Sequence, residues 1–281
     1  MKADLHLHTT ASDGLLSPAE MVREAAKRGM QRIAVTDHDT VSGLAEAQAE
    51  ADRLGLEMLC GLELSVGGEE EIHLLAYGVD PRNPTLLSYL DLLMQERAER
   101  SEEMLRRLNA AGFPLTAEDI TNPQTGFSGR SAAARALVAR GLYKNTREAF
   151  ENLLLPGKPG FVPRKRIGVE SGCEFLCAQG AFVVLAHPGR MKNTWQELTI
   201  LLPLWQEAGL RGLEAWHSSH SAGNAQIYER YARSHGLYVT GGSDSHGKFN
   251  EVDIAQGLSG WRDIQQDTDR LWACVSGKEN H

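Results

Sequence analysis

The sequence predicts an α/β protein whose strands form a barrel, and two observations lead to this prediction. Segments with the apolar composition of buried strands alternate along most of the chain with segments of helical periodicity, as is typical of proteins built from β/α units. Histidines and acidic residues also recur where the predicted strands end. Because the C-terminal ends of the strands of a β/α barrel meet on one face, these side chains would gather there in one site.

The first strand is predicted near the N-terminus, in KADLHLHTTASDG at residues 2–14. Successive side chains of a strand point to opposite faces, so His6 and His8 share a face. An acidic residue, Asp13, follows in the next loop. This face of the strand is therefore either a wet surface or a functional site.

A helix follows, and its start carries the residues of a capping box. Ser17 stands at the N-cap, Pro18 and Glu20 lie in the first turn, and Gly29 marks the end. The alternation then continues with a strand at 31–36, a helix at 41–54, and strands in LEMLCGLELSV and EIHLLAYGV.

From about residue 82 to 160 the pattern predicts helices alone: a long amphipathic one at 84–110 and shorter ones in GRSAAARALVARG and TREAFENLLL. The alternation then returns with helices at 169–178, 194–208 and 221–235 and strands in AFVVLAHPGR, LRGLEAWH and LYVTGGSDSHG. The last twenty residues show no clear pattern. We therefore expect a first part of the barrel at 1–81, a helical insertion that caps the substrate at 82–162, and a second part of the barrel at 163–281.

The composition is that of a globular protein, with 281 residues of which 42% are hydrophobic. No apolar run approaches the roughly 20 residues of a membrane-spanning helix, so we expect a cytoplasmic protein with no membrane partner. The formal net charge of −8 argues against binding of long nucleic acid, because domains that bind it are usually basic. The four cysteines are scattered, which favours buried, reduced thiols over a disulfide framework.

Most of the histidines stand at the ends of predicted strands. A single histidine in such a place is more often a hydrogen-bonded loop residue, but so many together predict a metal site. Histidine and carboxylate ligands without cysteine suit a catalytic zinc, manganese or iron centre. Seven of the ten histidines are in such places: His6, His8, His38, His73, His187, His217 and His246.

The same residues carry a resemblance to a known family. The segments DLHLHTTASDG, VTDHDT, GLELSV, HLLAYGV, AHP and GGSDSHG, in this order, resemble the motifs of the polymerase and histidinol phosphatase (PHP) family of the amidohydrolase superfamily. The resemblance covers residues 1–80 and about 165–250. The helical insertion resembles that of one branch, the nucleoside 3',5'-bisphosphate phosphatases and short-RNA 5'–3' exoribonucleases.

The resemblance implies a distorted (β/α)7 barrel of the PHP type that holds three divalent metal ions, commonly Mn²⁺, with Fe²⁺ or Zn²⁺ as alternatives. It also implies that Asp244 is catalytic as well as a ligand. The implied sets are His6, His8 and Asp244 for one ion, Glu63 as a bridge to a second ion held by His73 and His187, and Asp13, His38 and His246 for the third.

This ligand set predicts hydrolysis of a phosphate ester by a metal-bridging hydroxide, without a covalent intermediate. His217 is the candidate general acid or leaving-group contact, and His220 is the alternative. Asp37 and Asp39 flank His38, where they either orient ligands or cap loops.

The insertion offers a second anion site. Arg130, Ser131 and Arg135 lie near a predicted helix start, where backbone N–H groups favour anions, and Lys158 lies in a Gly/Pro loop that continues into the basic run 164–166. The alternative is a solvated charged face. Together with the metals, these residues favour a small substrate with two phosphates, such as adenosine 3',5'-bisphosphate, that loses its 3'-phosphate to give the 5'-monophosphate.

Other functions remain open at this stage. The same site could release mononucleotides from the 5' end of a short RNA. A histidinol-phosphate phosphatase would need an acidic contact for the substrate amine, whereas the insertion offers arginines. An amide or lactone hydrolase of the superfamily fits the basic insertion poorly. An inactive regulatory module would usually have lost ligands, and none is missing here.

Overall fold

Seven strands form one sheet in which each strand pairs with the next along the chain. All neighbouring pairs are parallel except those made by β4, which runs antiparallel to both β3 and β5. Residues 67–71 between β3 and β4 are too few for the crossover that parallel strands require. The strands are β1 (Ala3–Leu7), β2 (Arg32–Val35), β3 (Glu57–Val66), β4 (Ile72–Tyr77), β5 (Phe182–Leu185), β6 (Leu210–His217) and β7 (Tyr238–Gly242).

The sheet curls into a nearly closed barrel. The chain just after β7 pairs with β1, since the Asp244 N–H donates to the His6 carbonyl at 2.9 Å and the His8 N–H donates to the Ser245 carbonyl at 3.0 Å. This confirms the prediction of a distorted seven-stranded barrel. Closure also brings the last strand's end beside the first strand's end, where the predicted ligands lie.

This is a computed structural model, which describes residues 2–67, 72–122, 125–163, 166–247, 252–254 and 261–276. The chain divides into a barrel unit, Met1–Leu86 with Arg166–His281, and a helical unit, Leu87–Lys165. None of the helices within the described ranges is long and apolar enough to cross a membrane.

Helices account for most of the remaining described chain. The predicted capping box is present at the start of α1, where the Ser17 side chain accepts from the Glu20 N–H and the Glu20 carboxylate accepts from the Ser17 N–H. The helices are α1 (Pro18–Lys27), α2 (Leu44–Leu54), α3 (Pro84–Ala110), α4 (Ala117–Ile120), α5 (Arg130–Ala139), α6 (Thr146–Ala149), α7 (Val169–Ala178), α8 (Trp195–Glu207), α9 (Ala222–Ser234) and α10 (Trp261–Val275), with a π-helix at Phe150–Leu154 and a 3₁₀ turn at Pro188–Arg190.

Each unit has its own apolar core. In the barrel unit, Leu5, Leu75 and Tyr77 pack with Leu271 of α10, so the C-terminal segment without a clear sequence pattern supplies a helix to this core. In the helical unit the core joins α3, α5 and the π-helix through Leu108, Leu137, Leu153 and their neighbours. The barrel core supports the strand ends that carry the candidate site.

Candidate metal centre

Ligand atoms from β1 and the residue that follows it, from β3 and from the segment after β7 converge in a first, buried group. The Nε2 atoms of His6 and His8 lie 3.1 Å apart. Glu63 Oε2 is 3.4 Å from His6 Nε2 and 3.2 Å from His8 Nε2. Asp244 Oδ1 is 3.5 Å and 3.1 Å from the same two nitrogens. All four donor atoms lie within 4.8 Å of one another, so the group could hold a metal ion.

The other carboxylate oxygen of Glu63 faces a second pair of histidines. Its Oε1 lies 2.8 Å from His73 Nδ1 and 2.9 Å from His187 Nε2. These two ring nitrogens are 3.3 Å apart. Glu63 therefore contacts both groups through its two oxygens, which is the arrangement that a bridging carboxylate needs.

A third group gathers around Asp13 at the edge of the first. His246 Nε2 lies 3.0 Å from Asp13 Oδ1, and His38 Nε2 lies 4.0 Å from the same oxygen. The His246 ring stacks on His8, with 4.1 Å between centroids. His8, Asp13, His38 and His246 together offer donor atoms within 4.8 Å. The structure thus brings all nine predicted ligands into one cluster.

His73 reaches this cluster in a way that the sequence did not predict. It was expected at the C-terminal end of a strand, but it is the second residue of β4. This expectation was wrong because β4 is antiparallel to its neighbours. The start of an antiparallel strand lies at the same edge as the C-terminal ends of the parallel ones, so His73 still faces the cluster.

The donor set fits divalent cations. His8 Nδ1 is buried and makes no hydrogen bond within the described residues. The buried Glu63 Oε2 faces ring nitrogens of His6, His8 and His38 at 3.4, 3.2 and 2.9 Å. Buried polar atoms of this kind are rare unless a ligand satisfies them. Imidazole and carboxylate donors without cysteine suit manganese, iron and zinc.

The electrostatics of the cluster reflect its buried carboxylates. Burial would lower the pKa of His8, but Asp244 and Glu63 raise it to about 10. Burial would raise the pKa of Glu63, but His38, His73 and other histidines hold it well below its usual value. Burial lowers the pKa of His187 to about 3. The buried carboxylates are therefore held ionised by positive charge on neighbouring histidines, and a bound metal cation would supply such charge in their place.

Two further aspartates fix the loops that carry ligands. Asp37 accepts from the Thr9 N–H and from the Thr9 and Ser12 hydroxyls, in the loop that leads to Asp13. Asp39 accepts from the Ser65 N–H and hydroxyl, beside Glu63 on β3. In these hydrogen bonds both aspartates accept from loop and strand groups, which favours the loop-capping alternative.

His217 and His220 have different hydrogen-bonding states. The Ser219 N–H donates to His217 Nδ1 at 3.0 Å, so in the neutral ring the proton is on Nε2, which lies 3.4 Å from Asp244 Oδ2. His220 Nδ1 donates to the Ala215 carbonyl, and its Nε2 accepts from the Gly189 N–H. His217 is thus a donor facing the cluster, whereas His220 holds the 3₁₀ turn to β6.

Sequence reasoning missed two residues at this site, Arg190 and Glu214. The exposed Arg190 guanidinium donates to Asp244 Oδ2 at 2.7 Å, and only its position three residues after His187 could have indicated it. Glu214 is fully buried on β6 and contacts His6. An acidic residue inside the apolar strand LRGLEAWH is a signal that could have been used, because such residues are seldom buried without a partner.

The predicted substrate contacts lie in the helical unit. Arg130, Ser131 and Arg135 are partly exposed in the first turns of α5. The N-cap residue of this helix is Gly129, which has no side chain to accept from the first backbone N–H groups. Arg130 lines a small crevice together with Arg100 and other residues of the unit. Lys158 is exposed, and Arg164 and Lys165 lie outside the described residues. Contact of these residues with an anion stays a prediction.

The model of the PHP domain matches residues 4–154, more than half of the chain. The chain belongs to the PHP domain family. A 3',5'-nucleoside bisphosphate phosphatase of Chromobacterium violaceum is 38% identical over 248 residues, 86% of each chain. A 5'-3' exoribonuclease of Haemophilus influenzae is 31% identical over 92% of this chain and 94% of its own length.

A solved structure has a similar fold over nearly its full length. This putative metal-dependent phosphoesterase of Bifidobacterium adolescentis is 30% identical, with a TM-score of 0.86 over 98% of this chain and 96% of its own. The family resemblance read from the motifs and the barrel fold are thereby confirmed.

Proposed function

We propose that this PHP protein hydrolyses the 3'-phosphate of nucleoside 3',5'-bisphosphates, giving the nucleoside 5'-monophosphate and phosphate. The observation that carries the proposal is the contact of Glu63 with both histidine pairs. This arrangement is what hydrolysis assisted by adjacent metal ions requires. The similar Chromobacterium phosphatase supports the choice of substrate.

The residues of the cluster would hold three divalent cations, for which we propose Mn²⁺, with Fe²⁺ or Zn²⁺ accepted by the same donors. When bound, such ions lower the pKa of a shared water and offset charge on the phosphoryl oxygens. The proposed sets are His6, His8 and Asp244; Glu63, His73 and His187, with Glu63 shared; and Asp13, His38 and His246.

His217 is the proposed proton donor to the leaving oxygen. Its Nδ1 accepts the Ser219 N–H, so its Nε2 carries a proton that faces the cluster. A leaving ribose alkoxide is strongly basic, and its departure is favoured by a proton placed within hydrogen-bond reach. His217 therefore acts through its N–H and not as a metal ligand.

Arg190 and Asp244 act together in this proposal. Asp244 presents Oδ1 to His6 and His8, while its Oδ2 accepts from the Arg190 guanidinium. Arg190 thereby orients the Asp244 carboxylate at the rim of the cluster. Because the guanidinium is also exposed, it can donate to a phosphoryl oxygen of the substrate in the same geometry.

Arg130, Ser131, Arg135 and Lys158 are the proposed contacts for the second phosphate. Their side chains reach solvent, and the N–H groups at the start of α5 favour an anion. Binding energy from this second phosphate would orient the reacting one. The partner is thus a small anionic nucleotide, and neither long nucleic acid nor a membrane.

A second candidate is release of mononucleotides from the 5' end of short RNA. The observation that favours it is the similarity to the Haemophilus exoribonuclease, which extends over almost the whole of both chains. The chemistry at the cluster is the same for both substrates, since a phosphate ester is hydrolysed in each. The two functions differ in what the protein binds beyond the reacting phosphate: a second phosphate of a mononucleotide in one case and an RNA strand in the other.

A substrate panel tests the proposal. Mn²⁺-loaded enzyme is given adenosine 3',5'-bisphosphate, adenosine 3'-monophosphate, histidinol phosphate and a short 5'-phosphorylated RNA, and release of phosphate and mononucleotide is followed. A preference for the bisphosphate in kcat/KM supports the proposal. A preference for the RNA replaces it with the second candidate, and a preference for histidinol phosphate contradicts both.

A further inference from the structure

We propose that Glu214 is a positioning residue that fixes two of the candidate metal ligands, His6 and His187, and so sets the metal affinity of the cluster. The inference rests on the proposed function only in taking these two histidines as ligands. Glu214 belongs to none of the three ligand sets proposed above.

The carboxylate of Glu214 connects the two histidines directly. Its Oε1 lies 2.9 Å from His6 Nδ1, and its Oε2 accepts the backbone N–H of His187 at 2.8 Å. All of these groups are buried, and Glu214 itself has no exposed surface. Buried hydrogen bonds to a carboxylate are short and strong, so both histidines are held in place.

The bond to His6 determines which ring nitrogen is free for a metal. Because Glu214 can only accept when ionised, His6 Nδ1 carries the proton in this bond. The lone pair of the neutral ring is then on Nε2, which faces His8, Glu63 and Asp244. Metal-binding histidines commonly donate their other N–H to a carboxylate in this way.

The bond to His187 holds an unfavourable backbone conformation. His187 has φ of +28°, in a region that non-glycine residues rarely adopt. Such strain persists only where the surroundings fix it. The Glu214 carboxylate supplies one such restraint at the His187 amide, and His187 Nε2 is thereby directed to Glu63.

The barrel is shaped to admit this contact. The pairing of β6 with β7 shifts register between Glu214 and Trp216, and a shift of one residue changes which side chains face inward. On β7, a Cβ added at Gly242 would lie 2.1 Å from His6 Cβ and 2.9 Å from Glu214 Oε1. Gly242 therefore leaves the space in which His6 and Glu214 meet.

Two substitutions separate positioning from charge. Glu214→Gln is nearly isosteric but has a single acceptor oxygen, so its NH₂ group must face one of the two donors, His6 Nδ1–H or the His187 N–H. If His6 accepts from that amide, its proton moves to Nε2 and blocks the metal-facing nitrogen. Glu214→Asp keeps the charge but is one methylene shorter, so it cannot reach both partners.

The test is the Mn²⁺ affinity of each variant, measured by competition with a chelator, with bound metal counted by elemental analysis. We expect both variants to bind Mn²⁺ about 10–100-fold more weakly than the wild type while remaining folded by circular dichroism. The matched control is Asp267→Asn, which neutralises another buried carboxylate of the barrel unit, paired with Arg233. It should bind Mn²⁺ as the wild type does.

Wild-type affinity in both Glu214 variants would overturn the inference, as would an equal loss in Asp267→Asn. Loss in Glu214→Gln with wild-type affinity in Glu214→Asp would assign the effect to charge and also overturn it. Because affinity is measured without substrate, a wild type that binds metal but hydrolyses no nucleotide would contradict the proposed function alone.

Discussion

Glu63 Oε1 lies 2.8 Å from His73 Nδ1 across two neighbouring strands that run in opposite directions. The antiparallel pairing of β3 and β4 places both side chains at the same edge of the barrel. Glu63 is thus surrounded by histidines from both sides, and its two oxygens contact His6 of the first group and His187 of the second. The centre should depend on Glu63 more than on any single histidine.

Glu63→Gln is therefore expected to lower kcat/KM by at least about 100-fold, which is the upper end of the effect of losing a partner outside the ligand shell. Bound Mn²⁺ should fall as well, because an amide is a poorer bridging ligand than a carboxylate. Steady-state kinetics and elemental analysis measure the two effects. Glu57→Gln, at the half-exposed start of the same strand, is the control and should retain full activity.

Asp13→Ala should abolish turnover with little loss of stability. The side chain holds His246 and faces His38 at the edge of the cluster, away from the barrel core, so its loss removes one metal site and little packing. Thermal unfolding and metal content check the fold and the stoichiometry. Full activity in Asp13→Ala or in His246→Ala would refute the third metal set.

His217→Gln should slow the reaction according to the leaving group. A nucleotide needs a proton on its departing alkoxide, and loss of a general acid costs about 10²–10⁴-fold in kcat. 4-Nitrophenyl phosphate has a leaving group that departs without a proton, so its hydrolysis should change far less. Equal losses for the two substrates would contradict the assignment of His217. His235→Gln, an exposed histidine at the end of α9, is the control.

Arg135→Ala should raise KM for a nucleoside bisphosphate far more than for a simple phosphate monoester. A charge-assisted hydrogen bond contributes about 1.5–3 kcal/mol, which corresponds to roughly 10–160-fold in KM. Arg140→Ala provides the comparison, because Arg140 caps the other end of the same helix and pairs with Asp119. Similar effects on both substrates would remove the argument for a second phosphate site.

The stability of the metal-free protein should fall as the pH rises above 7. The pKa of His8 is raised to about 10 in the folded state and is about 6.5 in an unfolded chain. Its stabilising contribution is therefore complete below pH 6.5 and is lost as the pH rises through 10. The pKa of His187 is lowered to about 3, so above pH 6.5 this ring is neutral in both the folded and the unfolded chain. It therefore does not change the stability between pH 7 and 10.

Measurement of Tm from pH 7 to 10 after chelation tests this prediction. His8→Gln should flatten the dependence, although His6, whose pKa is also raised by Glu214 and its neighbours against the effect of burial, retains part of it. A Tm that rises over this range would contradict the charge state inferred for the cluster.

Much of the fold could be predicted because its signals are local. The capping box at Ser17 and Glu20 places the start of α1, and the apolar periodicity of 84–110 matches α3 from Pro84 to Ala110. The direction of β4 was not predictable in this way, since an apolar strand has the same pattern in either orientation. His73 was therefore assigned to the correct edge for the wrong reason.

The candidate ligands could be identified from the histidines at strand ends and from the family motifs, whereas the residues that support them could not. Glu214 and Arg190 act through partners far along the chain, His6 and Asp244, and no short-range pattern marks such pairs. Helix α10 also went unpredicted: its core contact Leu271 meets residues of β1 and β4, and only the closed barrel defines that surface.

Metal-dependent removal of the 3'-phosphate of a nucleoside 3',5'-bisphosphate is the activity proposed for this protein. The most direct measurement follows adenosine 3',5'-bisphosphate by ³¹P NMR with chelator-treated enzyme and again after Mn²⁺ is restored. We expect no reaction in the first case and conversion to adenosine 5'-monophosphate and phosphate in the second. Formation of adenosine 3'-monophosphate, or equal rates with and without metal, would contradict it.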